Sequence, residues 1–170
     1  MRRVGSYIVY VICGMALLGT GLMSQGQRST PIAPAPIPAP IVAAKSLFVA
    51  NGGAEDFPQD ANTFSGGPDR AYNQFYAEMK KLGRFRLVTN PSDADIVIEI
   101  RVTSSSVPAG NSSRMDSQLH AVVIEPKTHV TMWVVATRIV PAIRQSARDQ
   151  NFDQAMEYIF KQIKGLTGTP

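Results

Sequence analysis

From Asp95 to Thr103 the chain alternates, with Ile96, Ile98, Ile100 and Val102 pointing one way and Val97, Glu99, Arg101 and Thr103 the other. A period of two predicts a strand with one buried face. Upstream, the apolar run Lys45–Ala50, closed by Asn51-Gly52-Gly53, predicts a short buried strand followed by a loop to Gly67. Pro68 and Asp69 then open a helix over 68–82. Tyr72, Phe75, Tyr76, Met79 and Leu82 recur at helical spacing, and Gly83 ends it. Phe85–Val88 is a short strand stopped by Asn90-Pro91.

Residues 103–117 are rich in serine and glycine and predict a polar loop. Leu119–Ile124 and Val130–Ile139 read as a hairpin around Glu125-Pro126-Lys127-Thr128-His129. A tight turn would put Leu119, Ala121, Val123, Val130, Met132 and Val134 on one face. His120, Val122, Ile124, Trp133 and Val135 would take the other. Both faces are substantially apolar, so each needs some cover. Phe152, Ala155, Met156, Ile159, Phe160 and Ile163 mark a final amphipathic helix. Asn151 and Gln154 suggest a capping box at its start, and Gly165 its end. The expected class is α/β (α+β): a mixed sheet of about five strands with two main helices, in the order β-α-β-β-β-β-α. These elements make one globular domain over 45–167.

The N-terminus has a different pattern. Met1-Arg2-Arg3 precedes the uncharged stretch 4–23, and Ser24-Gln25-Gly26 offers small residues for cleavage. Residues 1–26 therefore read as a signal peptide, or as an uncleaved anchor, since twenty uncharged residues can just span a bilayer. Cys13 follows Ile12 inside the apolar stretch, which argues against a lipoprotein signal. Residues 27–44 form a Pro/Ala-rich linker expected in extended polyproline II, reaching roughly 3.1 Å per residue.

Charge sharpens this reading. The chain has 17 basic and 13 acidic residues, but Arg2, Arg3 and Arg28 lie before residue 45 and every acid lies after it. The folded part is nearly neutral, and its longest basic run is Lys80-Lys81. A nucleic-acid partner, which needs a clustered basic face, is not expected. The single cysteine, Cys13, lies in the leader, so the mature domain is expected to be free of thiols and disulfides.

Candidate chemistry is sparse. In the hairpin register above, His120 and His129 share a face but lie about 13 Å apart along the ladder, too far to share one metal ion. Asp93 and Asp95 could share a strand face, although Asn90-Pro91-Ser92-Asp93 is also turn chemistry. Gly52-Gly53 and Gly66-Gly67 flank the loop before the first helix but match no phosphate-binding spacing. Asn111-Ser112-Ser113 matches a glycosylation acceptor. Hydrolase and zinc-protease motifs are absent. No catalytic residue, cofactor or metal is expected. The residues placed to frame a binding surface are Asn51, Gly52, Gly53, Asp56, Asp60, Gly66, Gly67, Asp95, His120 and Trp133.

The stretch from Arg84-Phe85-Arg86-Leu87-Val88 through Asn90-Pro91-Ser92-Asp93-Ala94-Asp95-Ile96-Val97-Ile98 resembles a segment of small exported bacterial envelope domains. These are the TolB N-terminal domain, LpoB-type lipoproteins, CsgG-like assembly proteins and uncharacterised exported families of the same layout. The resemblance implies a mixed sheet with helices packed on it and a role in binding or assembly at the envelope. It carries over no catalytic residue. The expected function is an exported non-catalytic domain that binds or scaffolds an envelope protein or membrane-associated complex, in the periplasm or outside the cell. Contact with the membrane is expected only through an uncleaved leader. The alternatives are a periplasmic small-molecule or peptide binder and a hydrolase with an unrecognised site.

Overall fold

The computed structural model describes residues 35–55, 64–110 and 112–168. The leader, the first part of the linker (27–34), Asp56, Asp60 and Asn111 lie outside the described residues. The elements in chain order are α1 (Ala39–Ala43), β1 (Ser46–Glu55), α2 (Arg70–Leu82) and β2 (Arg86–Leu87). A single 3-10 turn, Pro91–Asp93, precedes β3 (Ile96–Ala109), β4 (Ser112–Ile124), β5 (Thr131–Ile139) and α3 (Gln145–Leu166).

The five strands form one mixed sheet in the order β2-β1-β3-β4-β5. β1 runs parallel to both neighbours, and β3, β4 and β5 form an antiparallel meander. Helix α2 connects β1 to its parallel neighbour, as a parallel pair requires. β3 must then start again beside the beginning of β1. Two-residue β2 makes the return short, and Asp95 N–H closes it by donating to the Ser46 carbonyl.

One sheet face carries Leu47, Val49, Ile96, Ile98, Ile100, Leu119, Val123 and Ile139. It packs against Phe75 and Met79 of α2 and Phe152, Ile159 and Ile163 of α3 in a single buried cluster. Each such fully buried side chain contributes roughly 1.5–3 kcal/mol relative to exposure. The predicted class and order stand, with one short helix added.

Local differences have physical causes. Residues 39–43 are helical where proline alternation predicts extended chain. Pro38 caps the helix and Pro40 sits in its first turn, where no backbone N–H is needed, and Ile41 enters the core. β1 runs through Asn51-Gly52-Gly53 because a one-residue bulge between Asn51 and Ala54 absorbs Gly53 at φ 74°.

The predicted polar loop 103–117 is instead mostly strand. The β3–β4 ladder continues unbroken from Val97–Ile124 to Ala109–Ser112 and turns at Gly110, φ 62°. Backbone pairing needs no apolar period, so the serines concealed it. Ser104 and Ser117 face each other in the core and share a 2.7 Å hydroxyl hydrogen bond.

The β4–β5 register also differs from the tight-turn expectation. His129 takes a left-handed φ of 57° in the turn. Val123 then pairs with Trp133 and Ile124 with Thr131, leaving Met132 as an extra residue. Such a slip exchanges the faces of a strand. Trp133 and Val135 join the core side with Leu119, while Val134 turns away from it.

Helix α3 starts at Gln145, six residues before the expected cap, because its polar opening turns carry no apolar period. Asn151 lies within the helix and donates to the Val140 carbonyl at 2.8 Å. Gly165 is also helical. Thr167 forms the C-cap, and Gly168 at φ 67° follows it.

Candidate functional site

The two main helices cover one face of the sheet. The opposite face carries three adjoining rows, read from the register: Phe48–Val97–Ile124, then Ala50–Glu99–Val122–Val134, then Arg101–His120–Ala136. Val97 and Val122 are buried yet lie outside the core cluster, so they belong to this second surface. Val134 is 52% exposed. The result is an apolar centre bordered by charge, on strands whose backbone the ladder holds fixed.

Glu99 and Arg101 lie two residues apart on this face with 3.8 Å between Oε1 and Nη1. Gly52 makes room for them. A Cβ there would stand 2.9 Å from both Arg101 Cβ and Glu99 Cγ. Arg101 Nε is buried without a hydrogen-bond partner among the described residues, while the side chain as a whole stays 37% exposed. The guanidinium thus reaches the surface incompletely paired, suited to a carboxylate or carbonyl from outside.

His120 sits beside it, with Nε2 at 3.0 Å from Thr103 Oγ1. Burial, and then the Arg101 charge, lower its pKa from 6.5, so the ring is neutral at pH 7. A hydroxyl beside an imidazole could begin a nucleophilic arrangement. That arrangement needs a group that stabilises the imidazolium, and here the neighbouring charge is a cation. The geometry favours recognition over acid–base chemistry.

The structure scatters the residues anticipated from sequence. Asn51, Gly52 and Gly53 lie in β1, where Asn51 accepts from Gly53 N–H and donates to Asp69 at 2.7 Å. Gly66 and Gly67 form the turn before α2, both with positive φ. Asp95 joins β3 to the start of β1. Its Oδ2 accepts from the backbone N–H groups of Lys45 and Ser46, each at 2.8 Å. Those bonds hold its pKa below the usual 3.8. Asp93 lies in the 3-10 turn. His120 and Trp133 occupy opposite faces of the sheet. Of the anticipated residues that are described, Gly52 and His120 alone border the surface described above.

Two features had no signal in the sequence pattern. Arg70 binds Asp149 at 2.6 Å and Asp153 at 2.8 Å, with its guanidinium 4.6 Å from the centre of the Phe152 ring. Ser65 donates to Asp149 through both its backbone and its hydroxyl. These bonds from Ser65, with help from Arg70 and Gln145, lower the Asp149 pKa well below 3.8. This network joins α2 to α3. Beside it, Gln74, Ala77, Glu78, Asp153, Met156, Glu157 and Phe160 line an interhelical groove of about 350 Å³. Among the described residues, no group of three or more His, Cys, Asp or Glu could hold a metal ion. No described helix is long and apolar enough to cross a membrane.

No family model matches the chain, and no curated protein matches its sequence. Similar solved structures include protein XCC0632 from Xanthomonas campestris, assigned to the DUF330 family model. It has 14% identity and a TM-score of 0.44, over 78% of this chain and 88% of that one. A candidate neuraminyllactose-binding hemagglutinin homolog from Helicobacter pylori has 10% identity and a TM-score of 0.40, over 71% of this chain and 84% of that one. Lipoprotein GNA1162 from Neisseria meningitidis has 13% identity and a TM-score of 0.38, over 71% of this chain and 99% of that one. None of the three bears the TolB, LpoB or CsgG name that the sequence resemblance implies. At these scores the likenesses transfer neither family nor function.

Proposed function

We propose that this chain is an exported, non-catalytic binding domain that docks a cell-envelope protein on the sheet face opposite its two main helices. The observation that carries the reading is the surface built on Val97 and Val122, with Arg101, Glu99 and neutral His120 at its edge. An apolar centre with a few oriented polar groups is the usual anatomy of a protein-recognition surface. The leader-like pattern of residues 1–26 supports export, and a Pro/Ala-rich stretch after it would give the domain reach from the membrane. The nearly neutral folded part fits a protein partner better than a nucleic acid.

Affinity purification of the tagged full-length chain from detergent-solubilised envelope tests this reading, comparing the wild type with Arg101→Glu. One envelope protein should be retained by the wild type and lost from the variant at an unchanged melting temperature. Equal retention by both would contradict the reading.

The interhelical groove supports a second reading, a small-molecule or peptide binder. Its volume lies at the lower end of the range for ligand pockets. A ligand seated there would raise the melting temperature by mass action. Glu157→Lys should abolish that rise and leave envelope-protein retention intact.

A further inference from the structure

The two edges of the sheet differ. β2 closes one side with only two residues. β5 closes the other with nine, Thr131–Ile139, and its outer backbone groups have no strand partner among the described residues. Folded proteins usually blunt such an edge with charge, proline or a cover. The sequence TMWVVATRI contains no proline and one charge, Arg138, already paired with Asp116 of β4. Exposed apolar side chains gather in the same region: Val130 at 57%, Val134 at 52%, Val140 at 59% and Ile143 at 96%.

We infer that β5 is a self-association edge, where a second copy of this chain pairs antiparallel to give one continuous ten-stranded sheet. The strand is self-complementary. A two-fold axis at Val135 sets Val134 opposite Ala136 and Trp133 opposite Thr137. Each of these pairs joins positions on one face of the sheet, so core face continues into core face and open face into open face as far as the bulge at Met132. The two Arg138 side chains fall at opposite ends of the new ladder, so like charges do not face each other. Pro126 and Pro141 bracket the strand and limit how far pairing can extend. The pairing also doubles the open face, because both copies present it on the same side. This inference stands independently of what that face binds.

The test uses the full-length chain in detergent. Val134→Lys/Ala136→Lys changes two exposed positions and leaves the core untouched. Sedimentation should show twice the chain mass for the wild type and a single chain mass for the variant, with the melting transition of each preserved. A second measurement keeps the inference open to failure if the variant does not fold. Chains carrying Val134→Cys and Ala136→Cys, both with Cys13→Ser, are mixed and oxidised. A disulfide-linked pair containing one of each should form at least ten times faster than between chains carrying Lys80→Cys on α2. A single-mass wild type, a dimeric lysine variant, no excess over the Lys80→Cys control, or capture of a different polypeptide at these positions would each overturn the inference.

Discussion

Arg70 and Asp149 stand 2.6 Å apart and lock the start of α2 to the second turn of α3. Arg70 is mostly buried, and it also bonds the Ser65 carbonyl and Asp153 while its guanidinium lies over Phe152. Arg70→Ala should cost about 1–2 kcal/mol, the range for charge-assisted bonds that remain partly screened by solvent. Chemical denaturation at pH 7 checks this.

Asp149 also sets an acid dependence, chiefly through the two hydrogen bonds it accepts from Ser65 and less through Arg70. The Asp149 pKa is lower in the folded state than the ordinary 3.8. Its contribution is therefore complete above the unfolded value and is lost as pH falls below it. The wild-type melting temperature should fall more steeply than that of Asp149→Asn below pH 3.8, and the two curves should converge. Parallel curves would remove Asp149 from the account.

Gly52 is predicted to be intolerant of the smallest added side chain. A methyl group would stand 2.9 Å from Arg101 Cβ, an atom close to the backbone that cannot swing aside. Gly52→Ala should cost roughly 1–3 kcal/mol, as overpacking does. It should also weaken envelope-protein retention by displacing Glu99 and Arg101. Gly53→Ala meets no neighbour within 4 Å but must adopt φ 74°, so its cost should come through strain and leave the Glu99–Arg101 pair in place. Thermal melts of the two variants, with retention assays, separate the effects.

His120 should titrate below 6.5 in the folded chain, through burial and the Arg101 charge. Because the folded pKa is depressed, its neutral form contributes stability that is present above 6.5 and lost as pH falls through the unfolded value. Arg101→Gln should move the midpoint upward, as followed by the imidazole proton resonances in NMR. A midpoint that stays unchanged would show that Arg101 does not act on His120.

The fold was legible wherever an apolar period persists. Ile96, Ile98 and Ile100 announce a half-buried strand, and Phe152 to Ile163 announce a helix. It was hidden where backbone pairing or long-range polar contacts do the holding. Ser104 and Ser117 carry the ladder through a stretch that reads as loop, and the polar turns around Asp149 carry no apolar period and gain their meaning only from Ser65 and Arg70 against them. A one-residue bulge at Met132 was enough to separate Trp133 from His120. The candidate face suffered most from this. Gly52 and His120 stood out in the sequence as a glycine in a cluster and a scarce histidine, whereas Val97, Val122 and Arg101 looked like ordinary strand residues. Only the register brings them together.

The most direct test of the central claim is position-specific cross-linking in intact cells. A photo-reactive residue replaces Phe48 on the open face or, in a separate chain, Tyr158 on the exposed side of α3. One discrete adduct with an envelope protein should form from position 48, reduced by Arg101→Glu and absent from position 158. No adduct from position 48, or the same adducts from both positions, would contradict it.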